Sequence, residues 1–151
     1  MSTILTKRDE FLGAKVIYQI YIRSYSDSDG DGIGDLRGFT QRLDYLAGLG
    51  VDCMWITPFF PSPQNDNGYD VSDYCEIGPR FGGMDDFREL IKIAKRHHIG
   101  ILLDLVINHT SIEHDWFRRS ELHEADYKDY CIWVDKPLNW RSFFGGPAFD
   151  Y

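Results

Sequence analysis

The stretch MDDFRELIKIAKRHHIGILLDLVI (Met84–Ile107) joins a helical pattern directly to a strand-like run, and this pairing decides the fold class. Acidic residues stand in its first turn and basic residues just before the glycine, which complements a helix dipole. The run ILLDLVI is nearly all apolar, as expected of a strand with both faces covered. Apolar residues recur at helical spacing at Phe87, Leu90, Ile91 and Ala94. We predict a helix that ends near Gly100 and is followed by a strand.

The same order of elements is found upstream. KVIYQIYI (15–22) and DCMWITPFF (52–60) have the composition of buried strands, and LRGFTQRLDYLAGLG (36–50) between them is helical in spacing, with Gly50 just past the helix end. Strands that alternate with helices predict an α/β fold with a parallel sheet and right-handed crossovers. Since three strands do not close a barrel and the periodicity is lost after His109, we expect an N-terminal portion of a longer protein.

The composition limits the classes of binding partner and the cellular location that we expect. The 151 residues carry a formal charge of −8, which argues against nucleic acid or an anionic membrane as the main partner. The first residues, MSTILTKRDEF, are too polar for a secretory signal. Cys53, Cys75 and Cys131 are odd in number and widely spaced, which favours reduced thiols and a cytoplasmic location.

The segment DSDGDGIGD (27–35) crowds four aspartates into nine residues and is called the aspartate loop below. Alternating side-chain oxygens with one backbone carbonyl are the ligands of calcium loops, and magnesium would fit with added waters. The segment is not an EF-hand, because it follows a strand and its twelfth position is Gly38. A solvated acidic turn is the alternative. The predicted ligands are Asp27, Asp29, Asp31, the carbonyl of Ile33, and Asp35.

Polar residues gather where the predicted strands end. Ligands of parallel α/β folds bind at the carboxyl ends of the strands. Asp104 lies within an apolar run, where a carboxylate needs a partner, and Asn108 and His109 follow it. The segment DNGYD (66–70) follows the second strand. Together these side chains could bind the hydroxyl groups of a sugar.

These motifs resemble those of the α-amylase family of glycoside hydrolases, and within it the α-glucosidase and oligo-1,6-glucosidase branch. The similar segments are VIYQIYIRSYSDSDGDGIGDLRG, GVDCMWITPFFPSPQNDNGYDVSDY, DLVINHTSIEHDWF and NWRSFFGGPAFDY, in the family's order. One departure is Ile22, where the family usually has proline.

The resemblance implies a fold and a domain division. The family fold is a (β/α)8 TIM barrel with a domain B inserted after the third strand. Residues 1–109 would then be the first three β/α units of the barrel, and residues 110–151 the beginning of domain B.

The resemblance also implies roles for single residues. Asp66, Tyr69 and His109 would bind the terminal glucose of a small α-glucoside. Asp104 would orient an arginine from a later strand, and Arg23 would brace the floor of the pocket. The aspartate loop would be the family's first-loop metal site.

The reaction implied is retaining hydrolysis of short α-1,4- or α-1,6-linked glucosides by a carboxylate nucleophile and a carboxylic acid. Both belong to the fourth and fifth strands, beyond Tyr151, so we assign no catalytic residue and expect the chain alone to be inactive. A trehalose synthase or sucrose isomerase of the same family is an alternative. A non-catalytic calcium- or sugar-binding module is another.

Overall fold

A computed structural model describes residues 15–136, 138–143 and 145–149. The N-terminal segment that argues against a secretory signal lies outside these residues. So do Phe144, Asp150 and Tyr151 of the NWRSFFGGPAFDY motif.

The three predicted strands form one parallel sheet, which confirms the predicted fold class. Strand β1 is Ile17–Ile20, β2 is Cys53–Ile56 and β3 is Gly100–Leu103, in the order β1-β2-β3. Tyr18, Met54 and Ile101 stand in register across the sheet. Each strand is shorter than its apolar run. Asp104 therefore lies just past the end of β3 rather than within it.

A helical turn follows β1 and begins at Ile22, the last residue of the predicted strand. Helix α1 spans Ile22–Tyr25, and Ile22, which stands at the family's proline position, is buried at its start. The carbonyl of Ser26 then accepts a hydrogen bond from the N–H of Asp35, which closes the base of the aspartate loop.

The single helix expected over 36–50 is two helices, α2 (Leu36–Thr40) and α3 (Leu43–Gly48). The Thr40 hydroxyl donates to the carbonyl of Leu36 at 2.7 Å, and such back-bonding bends a helix. The predicted apolar stripe still packs inward in both, with Leu36, Phe39, Leu43 and Leu46 fully buried, whereas Leu49 is exposed.

Gly50 ends α3 as predicted. Its φ of 76° is left-handed, and the N–H of Val51 reaches back to the carbonyl of Leu46. This closing motif turns the chain directly into β2.

The helix predicted from the opening stretch is α4, Met84–Arg96. Asp86 accepts a hydrogen bond from the N–H of Gly83 at its start. Its end differs from the prediction, because His98 and not a glycine takes the left-handed position, with φ 58°, and the N–H of Ile99 bonds the carbonyl of Ala94. Gly100 is already the first residue of β3.

Helices cover one face of the sheet. The core cluster combines Ile20, Met54 and Ile56 of the strands with the buried faces of α2, α3 and α4. Trp55 lies on the opposite face and is 37% exposed. Leu103, Leu105 and Ile107 are exposed and β3 is an edge strand of the described sheet, so coverage of both faces of the third strand stays a prediction.

The chain divides into two compact units, one ending at His114 and one beginning at Asp115. The second unit contains α5, Asp115–Glu121. The division into a barrel part up to residue 109 and a domain B after it stays a prediction. Within the part of the chain that the structure describes, no helix has the length and apolar character to cross a membrane.

Candidate functional site

Three side chains meet at the carboxyl end of β3. Asp104 accepts a hydrogen bond on each carboxylate oxygen, from the indole N–H of Trp55 at 2.8 Å and from the hydroxyl of Tyr69 at 3.1 Å. The three residues come from segments far apart in sequence, and adjacent parallel strands bring them together. With His109 they form what we call the strand-end cluster.

His109 joins the cluster through the backbone of Tyr69. Its Nε2 lies 3.1 Å from the Tyr69 carbonyl, and its Nδ1 lies 3.3 Å from the side-chain nitrogen of Asn108. A carbonyl oxygen can only accept, so Nε2 carries the proton and Nδ1 accepts from the amide of Asn108. The neutral tautomer of His109 therefore fits both contacts.

Tyr74 secures the chain between Asp104 and His109. Its hydroxyl lies 2.7 Å from the carbonyl of Val106 and 2.9 Å from the carbonyl of His109. This segment has left the sheet, and Tyr74 ties it to the loop that carries Tyr69. The sequence pattern predicts no role for Tyr74.

Trp55 is another member of the cluster that the sequence pattern does not predict. Strand alternation could have identified it, because Trp55 pairs with Leu102 and Asp104 lies two residues beyond Leu102 on the same face. The signal becomes visible only once the register of β2 and β3 is known.

Two other predicted residues are tied less closely to the cluster, or not at all. Asp66 is exposed, and its carbonyl accepts from the N–H of Tyr69 at 3.0 Å. Arg23 lies in α1, where its carbonyl accepts from Gly34 of the aspartate loop. Within the described residues, no hydrogen bond joins the Arg23 side chain to the cluster, and its bracing role stays a prediction.

The surroundings keep Tyr69 protonated. Burial raises the pKa of its hydroxyl, and so do the hydrogen bond to Asp104 and the charges of Asp104 and Asp66. The hydroxyl therefore donates its proton to Asp104 throughout the neutral range, and only its lone pairs remain for another partner.

The aspartate loop is organised mainly by its own backbone. The carboxylate of Asp27 accepts hydrogen bonds from the N–H groups of Asp29, Gly30 and Gly32. Gly30 and Gly32 have φ of 85° and 87°, which turns their amides inward at little steric cost. These donors, with Gly30 first, lower the pKa of Asp27, so the backbone itself offsets part of the charge repulsion.

Asp35 links the loop to α2. Its carboxylate caps the helix through the N–H of Gly38 at 2.7 Å and accepts from both the N–H and the hydroxyl of Ser28. Burial raises the pKa of Asp35, but these hydrogen bonds outweigh burial and the net pKa is lowered. Asp35 is therefore ionised at neutral pH although it is only 8% exposed.

The carboxylates of Asp27, Asp29 and Asp35 each bring one oxygen within 4.8 Å of the others. Asp27 accepts hydrogen bonds from three backbone N–H groups, and a carboxylate has about four lone-pair sites, so Asp27 keeps acceptor capacity for a cation. Asp31 accepts from the N–H of Ile33 and lies outside that group of three. The donor set is all oxygen, which suits calcium or magnesium.

Comparison with known proteins places these features in one family. Residues 19–151 match the model of the alpha-amylase catalytic domain. The chain is 54% identical to the trehalose-6-phosphate hydrolase of Escherichia coli over 141 residues, covering 90% of this chain and 26% of that protein. It is 49% identical to the oligo-1,6-glucosidase of Bacillus cereus, covering 90% of this chain and 25% of the relative.

Solved structures agree with the sequence comparison. A trehalulose synthase variant superposes with a TM-score of 0.85 at 46% identity, over 90% of this chain and 26% of that chain. The trehalose-6-phosphate hydrolase of Bacillus licheniformis superposes with a TM-score of 0.86 at 46% identity, over 91% and 26%. The chain spans about a quarter of the length of these relatives, and the three-stranded sheet corresponds to part of their barrel. From its motifs, its parallel sheet and these matches, the chain belongs to the alpha-amylase family.

Proposed function

We propose that this chain is part of a retaining α-glucosidase that acts on short α-1,4- or α-1,6-linked glucosides. The observation that carries the proposal is the strand-end cluster, in which Tyr69, Asp104 and His109 meet at the carboxyl end of a parallel sheet. Relatives named "oligo-1,6-glucosidase" and "probable alpha-glucosidase", each 49% identical, support the substrate class.

In this proposal Asp66, Tyr69 and His109 bind the terminal glucose. The exposed carboxylate of Asp66 can accept hydrogen bonds from sugar hydroxyls. The Tyr69 oxygen can also accept one, because its own hydroxyl proton is donated to Asp104. The His109 N–H that now bonds the Tyr69 carbonyl could be shared with a sugar oxygen. The nucleophile and the acid would come from strands four and five of the barrel, outside these residues.

The protein expressed from the complete gene tests the proposal with an aryl α-glucoside and with maltose and isomaltose. We expect release of α-glucose, and Asp66→Ala should lower kcat/KM strongly. Asp73→Ala is the matched control, because Asp73 lies in the same loop but caps the N–H of Cys75. Sugar binding without turnover would contradict the proposal and would favour a non-catalytic module.

A transferring or phosphosugar-hydrolysing enzyme is the second candidate. Trehalulose synthase and trehalose-6-phosphate hydrolase superpose at the same 46% identity, so this part of the fold does not separate them. One relative was solved with sucrose and another structure of it with isomaltulose. Incubation with sucrose, trehalose and trehalose 6-phosphate separates the candidates, since an isomerase gives a new disaccharide and a hydrolase gives monosaccharides.

We infer that the aspartate loop binds a divalent cation, with calcium preferred over magnesium. The proposed ligands are Asp27, Asp29, Asp31, the carbonyl of Ile33, and Asp35. The proximity of three of these carboxylates, at a turn in which Gly30 and Gly32 adopt left-handed φ angles, supports a site. When bound, the ion would neutralise the loop. It has no role in the chemistry proposed for the sugar.

A cytoplasmic location is the remaining part of the proposal. Cys53, Cys75 and Cys131 are all free thiols, and Cys75 is exposed. Exposed thiols persist in a reducing compartment. Cell fractionation against a periplasmic or secreted marker tests this location, and recovery outside the cytoplasm would contradict it.

A further inference from the structure

We propose that Trp55 is a positioning residue of the sugar site: its indole N–H holds the carboxylate of Asp104, and Asp104 in turn holds the hydroxyl of Tyr69. The inference rests on the proposed function, because Tyr69 is one of the residues expected to bind glucose. It adds a residue from the body of the sheet to a site otherwise built from loops.

The two ends of this hydrogen-bonded chain differ in rigidity. Trp55 lies within β2, where its neighbours in register are Gln19 of β1 and Leu102 of β3. Tyr69 lies in the long loop after β2, directly after Asn67 and Gly68, whose φ angles of 52° and 100° are both left-handed. The chain therefore ties a loop residue to the most regular part of the molecule.

Asp104 can transmit position because its two oxygens have different donors. The Trp55 bond of 2.8 Å fixes one oxygen, and the rigid carboxylate plane then fixes where the other meets Tyr69 at 3.1 Å. If the indole N–H is removed, the first oxygen loses that donor, and the carboxylate can turn about its remaining hydrogen bond to the Tyr69 hydroxyl. The Tyr69 ring is then held less precisely, without any change in the loop's own sequence.

A packing role for the Trp55 ring is the competing explanation. The ring is 37% exposed and large, so part of its effect could come from its apolar surface. Packing depends on the ring's shape, whereas positioning depends on a single N–H. A replacement that keeps the shape and removes the N–H separates the two.

The test replaces Trp55 by 3-benzothienylalanine, in which sulfur takes the place of the indole N–H, in the protein expressed from the complete gene. Hydrogen bonds to a charged partner contribute about 1.5–3 kcal/mol, so we expect kcat/KM for an aryl α-glucoside to fall about tenfold to a hundredfold. The melting temperature should stay close to that of the parent. In a Tyr69→Phe background the same replacement should lower kcat/KM by less than about threefold, because the hydrogen bond between residue 69 and Asp104 is already absent.

Trp133 provides the matched control. It is 40% exposed, and its indole N–H donates to the hydroxyl of Ser120 at 2.9 Å. The same replacement there should leave kcat/KM unchanged.

Three results would overturn the proposal. One is an unchanged kcat/KM on replacement at position 55, and another is an undiminished effect in the Tyr69→Phe background. The third is loss of folding in the isosteric variant, which would make the N–H a requirement of the fold. If the parent cleaves no α-glucoside, the proposed function fails first, and the positioning role falls with it.

Discussion

The aspartate loop and the strand-end cluster are both built around carboxylates, but they are assembled in different ways. In the loop, the Asp27 carboxylate accepts hydrogen bonds from backbone amides no more than five residues away, and the Asp35 carboxylate accepts them from Ser28 and Gly38. The cluster satisfies Asp104 with Trp55 and Tyr69, which lie 49 and 35 residues away. A local site can form as soon as its turn forms, whereas a distributed site needs the whole sheet in register.

The first prediction concerns the charge at the centre of the distributed site. Asp104→Asn replaces one acceptor oxygen with an amide, so either Trp55 or Tyr69 loses its partner. We expect kcat/KM on an aryl α-glucoside to fall at least about 100-fold, since two hydrogen bonds to a charge are affected. The control variant Asp73→Asn, in the same loop as Tyr69, should lower kcat/KM by less than about threefold. Equal losses in the two variants would show that the cluster has no special role.

The second prediction concerns the contact that anchors the local site. A Cβ on Gly38 would lie 2.2 Å from the carbonyl oxygen of Ser26, a backbone atom that cannot move alone. Gly38→Ala should therefore cost about 2–3 kcal/mol in the free energy of unfolding, measured by urea titration.

Gly48 is the matched control for this substitution. Gly38 and Gly48 both lie in helices, but a Cβ on Gly48 meets nothing within 4 Å. Gly48→Ala should therefore stabilise the protein by about 1 kcal/mol. Equal effects at the two positions would contradict the close approach of α2 to Ser26.

The third prediction concerns the cation. With free calcium at about ten times its dissociation constant, binding should stabilise the folded protein by about 1.4 kcal/mol. Thermal melts with calcium and with excess chelator measure this difference, which should disappear in Asp27→Asn and persist in the exposed control Asp126→Asn. An identical melt with and without calcium in the parent would rule out the metal.

The fourth prediction uses the lowered pKa of Asp35. Because its pKa is lower in the folded than in the unfolded protein, Asp35 stabilises fully above the unfolded value of about 3.9 and loses this effect as the pH falls through the folded value. Asp35→Asn should cost about 1 kcal/mol at neutral pH and progressively less below about pH 4. The urea midpoint between pH 3 and 7 measures the change, with Asp126→Asn as an exposed control. A penalty that is independent of pH would contradict an ionised cap.

Much of the fold can be predicted from the sequence, because hydrophobic periodicity and helix-ending glycines are local properties. The spacing of Leu90 and Ala94 and the placement of Gly50 predict α4 and the end of α3 correctly. The break at Thr40 and the left-handed His98 were not predicted. At Thr40 a side-chain hydrogen bond competes with the regular helix, and at His98 a left-handed turn does so. Only the packing of the assembled core decides which conformation forms.

The candidate site shows the same difference between local contacts and contacts that depend on tertiary structure. The sequence by itself determined the aspartate loop, because a chain of alternating Asp and Gly has its donors and acceptors within reach of one another. It also determined that Tyr69 and His109 follow strands, whereas it placed Asp104 inside the third strand and the structure places it just past the end. Only the tertiary structure decided that Trp55 donates to Asp104 and Tyr74 secures His109, because those contacts depend on strand register and loop path, which no single segment encodes.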